Sequence, residues 1–174
     1  MNDDQMLIVV GALIVAVLVA WSRQKRGPDF LTALRAFRCD LKWREKTFHA
    51  ELRKHLESRL ASGPLVKVIT EAGVPRSTIR IDLHAIYRDT DFLITVKKGL
   101  GSQKVLTLVG EVTSILDAWP RNSGRKTMLI VVLYGDDLGS GDDHLHKLVD
   151  LVMKQAGRRA DVALDIVYVP PADI

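Results

Sequence analysis

The chain has 174 residues, 47% hydrophobic and 26% charged, which suits one domain with a real core and excludes any need for disulfide or metal staples. Its single cysteine, Cys39, excludes an internal disulfide framework. The formal charge of +4 is unevenly placed: Arg23 to Arg59 carry eleven Lys/Arg against five Asp/Glu, and fourteen of each follow from Leu60 onward, so the basic excess points to anionic lipid headgroups at least as strongly as to nucleic acid.

In chain order, Met6 to Trp21 (MLIVVGALIVAVLVAW) contains no polar residue and spans about 24 Å as a helix, slightly short of a hydrocarbon layer about 30 Å thick. A cleaved signal peptide is the competing reading. The acidic leader Asp3-Asp4 and the lack of a small-x-small cleavage site speak for a retained anchor. Arg23-Gln-Lys-Arg26 then sets the orientation by the positive-inside rule. The expectation is a single-pass membrane protein, N-terminus out, with its C-terminal domain in the cytoplasm. Its segments are a short extracytoplasmic tail (1–5), a transmembrane helix (6–22), a basic juxtamembrane stalk helix (23–47) and an α/β domain (48–174). The bilayer and its anionic headgroups are the implied partners.

Gly27-Pro28 separates the anchor from the next segment, and Asp29 is placed to cap an amphipathic stretch ending at Ser62-Gly63-Pro64. Its apolar residues Phe30, Leu34, Phe37, Leu41, Phe48, Leu52, Leu56 and Leu60 recur every three or four positions, with the register blurred around Lys42 to Lys46. Leu65 to Glu71 reads as a strand. Two further β runs come next, Thr78 to Ile86 and Asp91 to Lys97, joined by the polar turn Tyr87-Arg-Asp-Thr90. Gln103 to Trp119 has helical spacing, Met128 to Tyr134 is a continuous apolar strand covered on both faces, and Val162 to Val169 is a last strand. Between those two strands, Asp142 or Asp143 caps a helix ending near Gly157.

The hairpin of the second and third strands carries the chemistry. Side chains alternate across a strand, so Arg80, Asp82 and His84 share one face, and Thr95 and Lys97 share a face of the next strand. A carboxylate at Asp82 and an amine at Lys97 thus converge. An ordinary surface hairpin presents the same pattern. Asp142-Asp-His-Leu-His146 reads as a solvated helix start, because residues two apart face different ways on a helix. His84 shares the strand face of Asp82 without an assigned role, and His49 and His55 have less claim still.

The order helix, three strands, helix, strand, helix, strand, with Asp82 on the second strand and Thr95-Val-Lys97 on the third, resembles the restriction-endonuclease-like fold of the PD-(D/E)xK nuclease superfamily over roughly Phe48 to Val169. By that resemblance Asp82 is a metal-binding aspartate, Lys97 the lysine of the tripeptide, and Glu51 the glutamate often carried on the first helix. Thr95 departs from the pattern, which has Asp or Glu two residues before the lysine. Threonine adds no negative charge for a hard cation. Some members of the superfamily move the glutamate to the following helix, which Glu111, separated from Lys97 by thirteen residues, resembles. The resemblance therefore implies a membrane-anchored endonuclease in which Asp82, Glu111 and Glu51 hold Mg²⁺ or Mn²⁺ and Lys97 orients water against DNA. The alternative is a membrane-anchored binding or interaction module on the same fold with a degenerate site.

Overall fold

The computed structural model describes residues 29–99, 102–120, 124–135, 159 and 161–172. Helix α1 (Phe30–Arg35) opens them, capped by Asp29, whose Oδ1 accepts the Thr32 amide at 2.7 Å. That hydrogen bond also holds the Asp29 carboxyl below its ordinary range. In the stretch expected as a basic stalk, Phe30, Ala33, Leu34, Phe37 and Cys39 are buried. The amphipathic run breaks over residues 36–44, earlier than the blur around Lys42 to Lys46. Cys39 instead bridges to Pro171, with Cys39 N–H donating to the Pro170 carbonyl and Ala172 N–H to that of Cys39. Helix α2 (Glu45–Arg59) then buries Phe48, Leu52 and Leu56, a stripe at four-residue spacing.

Among the described residues five strands form one open sheet in the order β1 (Leu65–Gly73), β2 (Arg80–Tyr87), β3 (Thr90–Lys98), β4 (Lys126–Tyr134) and β5 (Val162–Tyr168). The pairs β1/β2 and β2/β3 are antiparallel, while β3/β4 and β4/β5 are parallel. Parallel neighbours need a crossover, and helix α3 (Ser102–Ala118) supplies it between β3 and β4. At the ends of those strands Gly99 (φ 71°) and Gly135 (φ 125°) approach closely, and a Cβ on Gly135 would lie 3.2 Å from the Gly99 nitrogen. Both positions favour glycine for its access to positive φ.

The sheet is covered on both faces. Leu83, Ala85, Phe92, Ile94, Val96, Ile130, Val132 and Tyr134 pack with α1 and α2, with Phe48 stacked on Tyr134 at 4.1 Å between centroids. On the other face Leu93, Leu129, Val131 and Leu133 pack with Leu108, Val112, Ile115 and Trp119. This double burial explains the unbroken apolar sequence of β4.

The expected architecture, a restriction-endonuclease-like core preceded by a transmembrane helix, is corrected here to a mixed α/β domain with a five-stranded open sheet. Among the described residues no helix is long and apolar enough to cross a membrane. Segment 6–22 lies outside them, as do the helix expected up to Gly157 and the Asp142–His146 group. Without a spanning helix among the described residues, the single-pass localisation, the bilayer and headgroup partners, and membrane anchoring in both functional readings have no structural basis there.

Candidate functional site: a polar cleft between β2, β3 and α3

The cleft begins where β2 leaves β3. Their ladder runs from Tyr87↔Thr90 to Leu83↔Ile94 and stops, although β1 stays paired with β2 to Gly73↔Arg80. One residue past the last rung, Asp82 puts its side chain into the gap. Its Oδ2 accepts the Val96 amide at 2.6 Å and the Thr95 hydroxyl at 3.3 Å. A charged acceptor thus satisfies a backbone donor of the buried residue Val96, which has little water to turn to.

The resulting cavity has a volume of about 450 Å³. Arg80, Asp82, Thr95 and Lys97 line it from the strands, Gly110, Glu111 and Ser114 from α3, and Ile79 and Ile115 add apolar walls. Asp82, Lys97 and Glu111, separated by up to 29 positions in sequence, therefore meet in one place. Lys97 Nζ contacts both Glu111 oxygens, at 3.0 Å and 2.8 Å. Burial pulls the Lys97 pKa down, but the Glu111 hydrogen bond and the charges of Glu111, Asp82 and Glu45 outweigh it, so the net shift is upward. The ammonium form is held firmly. Because Glu111 is more than a third exposed, the pair contributes about 1 kcal/mol or less to stability.

Asp82 and Arg80 keep bonding capacity, as does the Ser114 hydroxyl. Asp82 Oδ1 accepts no hydrogen bond among the described residues; His49 Nε2 lies 4.0 Å from it, a buried atom that is itself without a hydrogen-bond partner there. The Arg80 guanidinium is 3.6 Å from Glu71, beyond hydrogen-bond reach. It too makes no hydrogen bond among the described residues.

Glu51 stands apart, at 2.6 Å from Lys54 on α2 and not on the cavity wall. His49 is the residue of that helix that reaches Asp82. The helical wheel carries the signal: at about 100° per residue, His49 lies about 60° from the centre of the Phe48–Leu52–Leu56 stripe and Glu51 about 100°. His84 turns from the cleft to the buried Asp91, with Nε2 2.9 Å from Asp91 Oδ1, while Arg125 lies 3.7 Å from the same oxygen.

No family model matches the sequence, and no curated protein matches it. Among solved structures, SfsA of Pyrococcus furiosus in complex with Ca²⁺ is similar over 71% of this chain and 57% of that one, at 12% identity and a TM-score of 0.39. The likeness is too slight to place the fold.

The side chains present do not fit the Mg²⁺ or Mn²⁺ implied by the resemblance. Glu111 holds Lys97, Asp82 gives one oxygen to the backbone, Glu51 is elsewhere, and Thr95 brings no charge. No group of three or more His, Cys, Asp or Glu among the described residues is placed to hold a metal ion. The membrane-anchored, metal-dependent endonuclease is corrected on this ground.

Proposed function

We propose that the chain is a binding module whose β2–β3–α3 cleft takes a small polar molecule. The pairing state of the cleft carries this reading: Lys97 and Glu111 satisfy each other, and Asp82 Oδ2 is fixed by the Val96 amide. Asp82 Oδ1, 4.0 Å from His49, and the Arg80 guanidinium, 3.6 Å from Glu71, keep an acceptor and a fork of donors on residues that line a cavity of small-molecule size. With two cationic and two anionic side chains on its walls, the cleft carries no net charge to draw a polyanion. At 4 Å and an effective dielectric of 20 each pairwise term is about 4 kcal/mol, so repulsion by the two acids offsets attraction by the two bases. The resemblance to the PD-(D/E)xK superfamily enters this reading as a likeness of element order and residue positions, and carries no activity with it.

Incubating the full chain and its Asp82→Ala variant with supercoiled DNA and Mg²⁺ tests the proposal. Equal, background nicking by both is expected. Nicking by the unaltered chain that Asp82→Ala abolishes would overturn it.

A further inference from the structure

The geometry points to a zwitterionic ligand, an α-amino acid with an apolar side chain, clamped between Arg80 and Asp82. This rests on the cleft being a small-molecule site and names the class it takes. Arg80 and Asp82 are two residues apart on one strand, so their side chains leave the same face about 6.7 Å apart at the backbone, and both line the cavity. One end of that short span offers a planar fork of donors suited to a carboxylate. The other offers Asp82 Oδ1, an anionic acceptor with no hydrogen bond among the described residues.

An ammonium on Asp82 and a carboxylate on Arg80 give each charged end of one small molecule an opposite partner, and the bond to Val96 that fixes Asp82 stays intact. A free anion would meet Asp82 and Glu111 as well as Arg80. A free cation would meet Arg80 and Lys97. Only a ligand carrying both charges at close spacing gains at both ends. The Lys97–Glu111 pair, closed on itself, forms a wall of the cavity and competes for neither end. Ile79, half-buried, supplies apolar surface for the ligand's side chain, backed by the buried Ile115.

The test monitors the backbone amide resonances of Thr95, Val96, Lys97 and Glu111 in the ¹⁵N-labelled full chain as L-leucine is added. N-acetyl-L-leucine, L-leucine methyl ester and inorganic phosphate are added in parallel. Saturable shifts with L-leucine are expected, with binding at least about tenfold weaker for each blocked analogue and for the exposed-site variant Arg80→Met. Asp82→Asn, which keeps an acceptor for Val96, is expected to lose binding while remaining folded. Equal binding of L-leucine and its methyl ester, or no effect of Arg80→Met, would overturn the clamp. Shifts with phosphate and none with L-leucine would overturn the ligand class while leaving the cleft a binding site. No shift at any of these amides with any probe would overturn both the class and the binding-module reading.

Discussion

Replacing Asp82 by alanine removes the acceptor that holds Val96 where β2 parts from β3. The bond is short, 2.6 Å, and its acceptor is charged; such bonds contribute about 1.5–3 kcal/mol. Val96 is buried, so water replaces the carboxylate poorly, whereas Thr95 at 3.3 Å adds little. Asp82→Ala is therefore expected to lose about 2 kcal/mol, or about 4–8 °C in Tm for a chain of this size. Asp82→Asn keeps a neutral acceptor and is expected to lose about half as much. Urea denaturation followed by tryptophan fluorescence measures both, and an unchanged m-value would show that the unfolded state is not the cause. Amide exchange at Val96 should accelerate in the alanine variant alone. If Asp82→Ala stayed within about 0.5 kcal/mol of the unaltered chain, or gained stability as vacated functional sites often do, the carboxylate would not be there to hold the strand.

Further predictions concern the frame around the cleft. Arg159 is 4% exposed and donates to the Leu116 and Trp119 carbonyls at the end of α3, and to both Asp161 oxygens at 2.7 Å; Arg159→Met should cost about 2–3 kcal/mol in urea denaturation by removing the donor of the two carbonyls and the ion pair with Asp161. Leu56→Ala, at a fully buried position on α2, should cost about 2–5 kcal/mol in the same assay. Tyr134 is pushed from its ordinary 10 up to about 12, by burial first and then by the charges of Glu45 and Cys39. Above pH 10 the unfolded chain releases this proton before the folded one does, so stability should fall from pH 10 until the folded phenol ionises near 12. Tyr134→Phe should show a shallower fall over that window; identical slopes would remove Tyr134 as the cause.

The strands are legible because alternation and apolar continuity are local. Arg80, Asp82 and Lys97 can be placed on common strand faces by parity alone, and helical spacing brings Glu111 to the same wall. What sequence does not display is who pairs with whom. Parity puts His84 beside Asp82, but its cross-strand partner is Leu93, which makes Asp91 a diagonal neighbour that captures the ring. Family resemblance puts Glu51 near the metal, while the helical wheel turns His49 toward Asp82 and Glu51 toward Lys54. The break at residues 36–44 depends on pairing with Pro170 to Ala172, more than 130 positions away, which no local window contains. The end of the β2–β3 ladder at Leu83 is equally invisible, since residues 80–82 continue the alternation in sequence, whereas Ile81 packs under α3, Leu83 packs under α2 and Asp82 takes the amide of Val96.

Calorimetric titration of the full chain with Mn²⁺ bears most directly on the pairing of Asp82 with the backbone and of Glu111 with Lys97. No saturable heat up to millimolar Mn²⁺ is expected, because one Asp82 oxygen is taken by the Val96 amide and Glu111 is paired with Lys97, which leaves too few free carboxylate oxygens for a hard cation. A saturable single-site isotherm that Asp82→Asn and Glu111→Gln each abolish would contradict that pairing and restore a metal to the cleft.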